Sequence, residues 1–314
     1  MDPEIAGYYA RGLEAERLFT WGRLERVRTQ ELLERFLPRA PATILDVGGG
    51  PGAYALWLAG RGYAVRLIDP VELHVAQARE ASARQPDAPL AGAEAGDARA
   101  LPVDDRSIDA VLLLGPLYHL PEAADRDRAL REALRVLRPG GVVLAAAIAL
   151  FASTIDGVRN ALLDEPGFEA VVEHDLRTGV HRNPRGRPEW FTTAFFHRPE
   201  QLAGEVEAAG FALEALVAIE GVGYYAGEPD AWLDDPARRA ALLRAIRRVE
   251  AEPAMLGASP HLLAVGREPW PRRLIITINS IAGGFAAKPP SPTADGCHPT
   301  AVVRILARAM LVLL

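Results

Sequence analysis

Residues 43–70, TILDVGGGPGAYALWLAGRGYAVRLIDP, place a glycine-rich turn and then an acid at the ends of two successive apolar segments. Thr43–Val47 reads as a buried strand and Ala53–Ala59 as a helix, with Gly48, Gly49, Gly50, Pro51 and Gly52 between them. Ala64–Ile68 reads as the next strand and runs into Asp69 and Pro70. Glycines let the backbone turn sharply and approach a ligand closely. The start of the helix offers N–H groups without intrahelical partners, and a carboxylate closing the second strand is placed to accept from two ribose hydroxyls. The chemistry implied is capture of a nucleoside cofactor. Asp69 has a plainer reading as the N-cap of the helix that begins near Val71, but the glycine turn beside it favours the ligand.

Two familiar nucleoside sites fit poorly. Gly48, Gly50 and Gly52 give G-x-G-x-G where a nicotinamide site wants G-x-G-x-x-G, and no Gly-Lys-Ser/Thr follows Gly52 as a phosphate-cradling loop requires. Further along, Gly96-Asp97-Ala98 makes a turn after a weak strand at 90–95, and Asp97 suits either a ligand contact or turn initiation. Ile108–Leu114 is a solid apolar strand closed by Gly115-Pro116-Leu117-Tyr118-His119, and Asp109 reads as its flanking structural acid.

The elements that position these residues alternate. Val71–Ala83 is expected as a helix, and an amphipathic helix carries Ala129, Leu130, Ala133, Leu134 and Leu137 on one face. Strands are expected at Val142–Ala149, Phe211–Ile219 and Pro260–Val265, with helices at Pro199–Ala209 and Trp232–Glu252. Strands alternating with helices at this spacing predict an α/β, Rossmann-like, doubly wound fold with a mostly parallel seven-stranded sheet. The crevice would lie at the strand C-terminal ends, where the glycine turn, Asp69, Asp97 and Gly115 fall.

The ordered set Leu45-Asp46-Val47-Gly48-Gly49-Gly50-Pro51-Gly52, Asp69, Gly96-Asp97-Ala98, Ile108–Val111 with Gly115–Leu120, and Leu137-Arg138-Pro139-Gly140-Gly141 resembles the class I S-adenosylmethionine-dependent methyltransferases, in their small-molecule type 11 branch. The likeness is strong over residues 40–150, weaker through the N-terminal helix and cap, and absent after about residue 270. Gly49 and Pro51 stand where that family often has Cys or Ser and Thr. The resemblance implies S-adenosylmethionine as cofactor, held by Asp46, Gly48, Gly50, Gly52, Asp69, Pro70, Asp97, Ala98, Leu114 and Gly115. Asp46 would help hold the ammonium end through the turn, Asp69 would take the ribose and Asp97 the adenine amino group. It implies in-line methyl transfer to O or N, less readily to C, of a small-molecule acceptor, with His119 as the candidate base or else a packed loop residue. A nicotinamide-dependent oxidoreductase and a non-catalytic cofactor-binding partner protein are the competing readings.

Residues 1–40 are expected as an N-terminal helical lid, with Tyr8, Tyr9 and Arg17 able to lie over the cofactor, and 41–150 as the cofactor-binding core. Residues 151–198 break the alternation with Pro166, Pro184, Pro188, a basic loop from His181 to Arg187 and an aromatic cluster. This cap would wall the acceptor with Trp190, Phe195 and His197, together with Tyr118, while packing accounts for part of the cluster. Residues 199–270 complete the core with a helical insertion. The tail at 271–314 holds the only lysine, Lys288, and the only cysteine, Cys297, and ends in a short apolar helix.

The tail carries five bases and one acid, so the remaining 30 bases and 40 acids leave the body at net −10. That balance disfavours a polynucleotide substrate. One cysteine allows no internal disulfide, and there is no Cys/His cluster or HExxH to suggest a metal. No apolar run reaches the length of a membrane span, so a cytoplasmic protein without membrane or nucleic-acid partners is expected, with a homodimer left open.

Overall fold

The computed structural model describes residues 2–269; the expected linker and helix at 271–314 lie outside them. The segment expected as a lid is three helices, α1 (Pro3–Tyr9), α2 (Glu14–Arg17) and α3 (Arg23–Phe36). The sequence pattern predicted helix throughout 4–36. Gly12, at φ +73°, breaks it after α1, and Gly22 breaks it before α3.

The core follows as β1 (Thr43–Val47), α4 (Ala53–Ala59), β2 (Ala64–Asp69), α5 (Glu72–Ala83), β3 (Gly92–Ala95) and β4 (Ile108–Leu113). Next come α6 (Ala123–Val136) and β5 (Leu137–Ala149). The cap holds α7 (Ala152–Arg159), α8 (Phe168–Thr178), β6 (Val180–His181) and β7 (Ala194–His197). The chain then runs through α9 (Pro199–Ala208), β8 (Ala212–Ala218), α10 (Pro229–Asp234), α11 (Pro236–Val249), α12 (Pro253–Leu256) and β9 (His261–Arg267). The helix expected over 232–252 is divided at Asp235, whose carboxylate caps α11 by accepting from the N–H groups of Ala237 and Arg238.

Six strands run parallel in the order β3-β2-β1-β4-β5, with β7 on the same side of β5 as β4, while β9 lies antiparallel between β5 and β8. The sheet has nine strands rather than the predicted seven. The two extra ones, β6 and β7, form an antiparallel pair inside the cap. Strand β4 pairs with β5 as far as Leu113↔Ala145, and β7 takes up the same edge at Ile148↔Phe196 and Ala149↔His197.

The apolar runs of β4 and β5 follow from helices covering both faces. Leu45, Val111, Leu113, Val143 and Ala145 pack with Ala129, Leu130 and Ala133 of α6 and Leu202 and Val206 of α9. The alternate residues Ile44, Ala110, Leu112 and Leu144 pack with Leu32 and Leu33 of α3, Ala55 and Leu58 of α4 and Ala78 of α5. Truncating one of these fully buried leucines would cost about 2–5 kcal/mol.

One buried ion cluster ties α3 to the segments that follow β8 and α11. Arg28 is fully buried; its Nε donates to the Ile219 carbonyl at 2.9 Å and its guanidinium to Glu250 at 2.6 Å. Glu250 also accepts from Arg35 at 2.6 Å. Arg28 also donates to Glu31 at 2.7 Å, so loss of Glu250 leaves the cation one carboxylate and costs about 1–3 kcal/mol. Glu250→Ala should therefore lower the urea midpoint by about that much stability with the slope unchanged, read by denaturant titration.

Candidate functional site

The turn between β1 and α4 needs glycine for measurable reasons. Gly48, Gly50 and Gly52 all take positive φ, at +67°, +56° and +91°. A Cβ on Gly48 would also lie 2.8 Å from the Pro116 ring, so the turn and the loop after β4 approach too closely for a side chain. Asp69 fastens the turn to β2. Its Oδ2 accepts from the Gly50 N–H at 2.8 Å, and its Oδ1 accepts from the Val71 N–H at 2.8 Å and meets His74 Nδ1 at 3.1 Å. The helix-entry role and the turn-holding role thus fall on one carboxylate.

A cavity of about 500 Å³ opens over this turn. Of the residues expected to hold the cofactor, Asp46, Gly48, Gly50, Asp69, Pro70, Asp97, Ala98, Leu114 and Gly115 line it. Gly52 does not; it closes the turn against Leu56 and Ala78. Asp46 is 1% exposed, and its Oδ2 has no hydrogen-bond partner. Burial, with the nearby charge of Asp69, pushes its carboxyl up to about 7, although the Ala55 N–H counteracts this. Asp97 is clasped by Arg99 at 2.6 and 2.9 Å, which draws its carboxyl below the usual range, and Arg99 reaches on to Asp125.

A second cavity, of about 630 Å³, lies between lid, cap and sheet. Its wall includes Tyr8, Tyr118, Phe168, Trp190, Phe191 and Phe196. Tyr118 and Trp190 were expected there. Trp190 is also a cap core residue, 5.3 Å from the Phe168 ring, with its indole N–H on Glu165 at 3.0 Å.

Phe195 and His197, expected on the acceptor wall, line neither cavity. Strand alternation turns them to the opposite face of β7. There the Arg126 guanidinium lies 3.7 Å from the Phe195 ring centre, and His197 Nε2 meets Glu205 at 3.2 Å. The aromatic residues facing the second cavity are instead Phe196, on the other face of the strand, and Phe191 before it.

His119 lines the first cavity with both ring nitrogens engaged. Nε2 meets the Tyr9 hydroxyl at 2.6 Å and Nδ1 the Thr193 carbonyl at 3.3 Å. Burial presses its imidazole down to about 4.

The two cavities share six lining residues: Tyr9, Glu14, Arg17, Glu25, Tyr118 and His261. Arg17 of the lid donates to Glu14 at 2.9 Å and to Glu25 at 2.5 and 3.0 Å. His261 Nδ1 meets Glu220 Oε1 at 2.6 Å, and the other Glu220 oxygen accepts from Ser259 Oγ and the His261 N–H. Donor atoms of Glu25, Glu220 and His261 fall within 4.8 Å of one another. Arg17 donates to Glu25, and the carboxylates raise the His261 imidazole to about 9, so positive charge already stands against this pair of acids. Of these residues only Tyr9, Tyr118 and Arg17 were singled out from the sequence. Glu220 and His261 are 41 residues apart and form no local motif.

This architecture is that of a Rossmann-like α/β protein with a nucleoside crevice at its strand ends. Residues 45–145 match the methyltransferase domain family, and the core is a class I S-adenosylmethionine-dependent methyltransferase domain with S-adenosylmethionine as its cofactor. Methyltransferase GfsG of Streptomyces halstedii is 37% identical over 139 residues, which is 43% of this chain and 48% of that protein. The ubiquinone/menaquinone biosynthesis C-methyltransferase UbiE of Acidiphilium cryptum is 35% identical over 119 residues, 38% of this chain and 47% of that protein. The aligned part thus spans about half the length of the curated relatives it matches. A S-adenosylmethionine-dependent methyltransferase structure from Methanosarcina mazei shares the fold, with TM-score 0.51 at 19% identity, covering 76% of this chain and 98% of that one. The residues present suit the cofactor: a Cβ on Gly48 or Gly49 would clash, Gly50 takes a positive φ, and Asp46 beneath the turn keeps one buried oxygen without a partner.

The raised Asp46 carboxyl has a stability consequence. The folded state keeps this proton up to about 7, whereas an unfolded aspartate releases it near about 3.9, so between those values the folded state binds more protons and loses stability as pH rises. Asp46→Asn should stabilise the cofactor-free protein more at about pH 7 than at about pH 4, read by urea unfolding at both.

Proposed function

We propose that the chain transfers a methyl group from S-adenosylmethionine to a small-molecule acceptor seated in the second cavity. The observation that carries this reading is the junction of six residues shared by the cofactor-lined and aromatic-lined cavities. Bound at the glycine turn, the cofactor supplies a methyl group already activated on a sulfonium centre.

The chain's own work is alignment and exclusion of water. Gly48 and Gly50 give backbone room, Asp69 and Asp97 are the acceptors for ribose and adenine, and Leu114 and Gly115 form the cofactor wall. An ionised carboxylate has about four acceptor positions, and the protein already uses three on Asp69, so a two-hydroxyl grip requires one of these bonds to yield. Tyr9 and Arg17, from the lid, close the junction from above. With Glu14, Glu25 and Glu220 set against Arg17 and His261, the junction carries a carboxylate in excess, which favours a cationic centre beside it.

Oxygen or nitrogen acceptors fit the polar junction. Carbon is the second reading, supported by the similarity to UbiE, which is a C-methyltransferase by name. Calorimetry should find S-adenosylhomocysteine binding and no NADH binding. Asp69→Ala should weaken the former by tenfold or more, about 1.4 kcal/mol, while the protein stays folded by circular dichroism. An absence of S-adenosylhomocysteine binding would overturn the reading.

A further inference from the structure

Six acids line the second cavity, and five of them already face a basic side chain. Arg17 holds Glu14 and Glu25, His261 meets Glu220, Arg23 meets Asp230 at 3.0 Å and Arg187 meets Glu189 at 3.5 Å. Asp156 of α7 differs. Its Oδ1 accepts from the Tyr224 hydroxyl and from Asn160 Nδ2 at 3.2 Å. Among the described residues its Oδ2 has no hydrogen-bond partner and the carboxylate makes no ion pair. Arg159 lies over the Tyr224 ring, 4.4 Å from its centre, and donates to the Tyr224 carbonyl rather than to this carboxylate. One turn before Asp156, on the same side of α7, Ser153 lines the cavity. It is 6% exposed and its Oγ has no partner.

We propose that Asp156 and Ser153 anchor an ammonium group of the acceptor, so that the second cavity takes an aromatic compound bearing an amine. The assignment rests on the methyltransferase reading above and names its acceptor class. Ser153, Asp156, Asn160 and Tyr224 line the second cavity and not the cofactor cavity. The anchored amine is therefore a handle, and the methyl group goes to another atom of the acceptor, at the junction.

The free groups at this anchor select an ammonium. Asp156 Oδ2, Ser153 Oγ and the remaining lone pair of the Tyr224 hydroxyl are all acceptors, and an ammonium brings three N–H donors on one small centre. Burial, and then the charge of Asp156, push the Tyr224 phenol up, so it stays protonated and keeps its bond to Oδ1. Oδ2 is left for the ligand. A half-buried carboxylate without a cation lacks the compensation its neighbours have, and a charged donor gives it a stronger bond than a neutral one. A carboxylate on the acceptor would instead meet Asp156 as a like charge. The ring of the acceptor is set by the remaining wall, where Tyr8, Phe191, Phe196 and Trp190 offer aromatic surface to a planar group.

The test compares phenethylamine, 2-phenylethanol and 3-phenylpropanoate, which share a phenyl ring on a short linker and differ in its end group. Each is titrated by calorimetry into the full chain loaded with S-adenosylhomocysteine, at about pH 7, where the amine is cationic. Phenethylamine should bind about tenfold or more tighter than the alcohol, and the carboxylate weakest of all. Asp156→Asn should abolish the preference for the amine and Ser153→Ala should reduce it, with S-adenosylhomocysteine binding unchanged in both. Wild-type protein that binds none of these probes, or binds the alcohol or the carboxylate as tightly as the amine, overturns the proposal. So does a preference that survives in Asp156→Asn; should that variant not fold, an undiminished preference in Ser153→Ala overturns it. Wild-type protein that fails to bind S-adenosylhomocysteine overturns the methyltransferase reading instead, and the same probe ratios on the unloaded chain then decide the anchor.

Discussion

The crevice depends on one carboxylate. Asp69 sits at the end of β2, 4% exposed, and accepts from the N–H of Gly50 across the crevice and from that of Val71 at the entry to α5. These bonds fix the distance between two consecutive strand-to-helix turns. They set the path of the glycine turn, which Pro116 confines from the β4 side. Both oxygens of this one acid at the end of the second β-strand are thus committed to holding the turns.

The junction is governed by a different balance. Five ionisable side chains from the lid, α3, the segment after β8 and the start of β9 meet there, and taking them from water is costly unless each is paired. Arg17 supplies the pairing for Glu14 and Glu25, and it comes from the lid rather than the sheet. The charge balance of the junction is therefore set by α2 as much as by the sheet.

Most of the core was legible because its signals are local. The glycine turn, the acid after β2 and the apolar runs of β4 and β5 each sit within a few residues of the structure they specify. The cap was harder. Its aromatic residues announce a wall, but only the pairing of β7 onto β5 decides which face each one takes, and a shift of one residue exchanges Phe195 for Phe196. The helix pair expected over 4–36 is three helices, interrupted at Gly12 and Gly22, where backbone conformation overrode amphipathic spacing. His261 left no sequence signal, since its partners Glu220 and Glu25 arrive from distant segments that only the folded sheet brings together.

The seating of β7 on the edge of β5 vacated beyond Leu113 also bears on how such a protein could diversify. The cap is an insertion by sequence, yet its last strand is spliced into the hydrogen-bond lattice of the central sheet. Its helices and loops from 151 to 193 can change length without disturbing that splice. Exchange of the whole segment between related chains would have to preserve the register at Ile148, because a slip there would turn Phe196 out of the cavity and send Phe195 into it. Variation in the wall of the second cavity is thereby channelled into the loops ahead of the strand, and the strand itself acts as a fixed graft point.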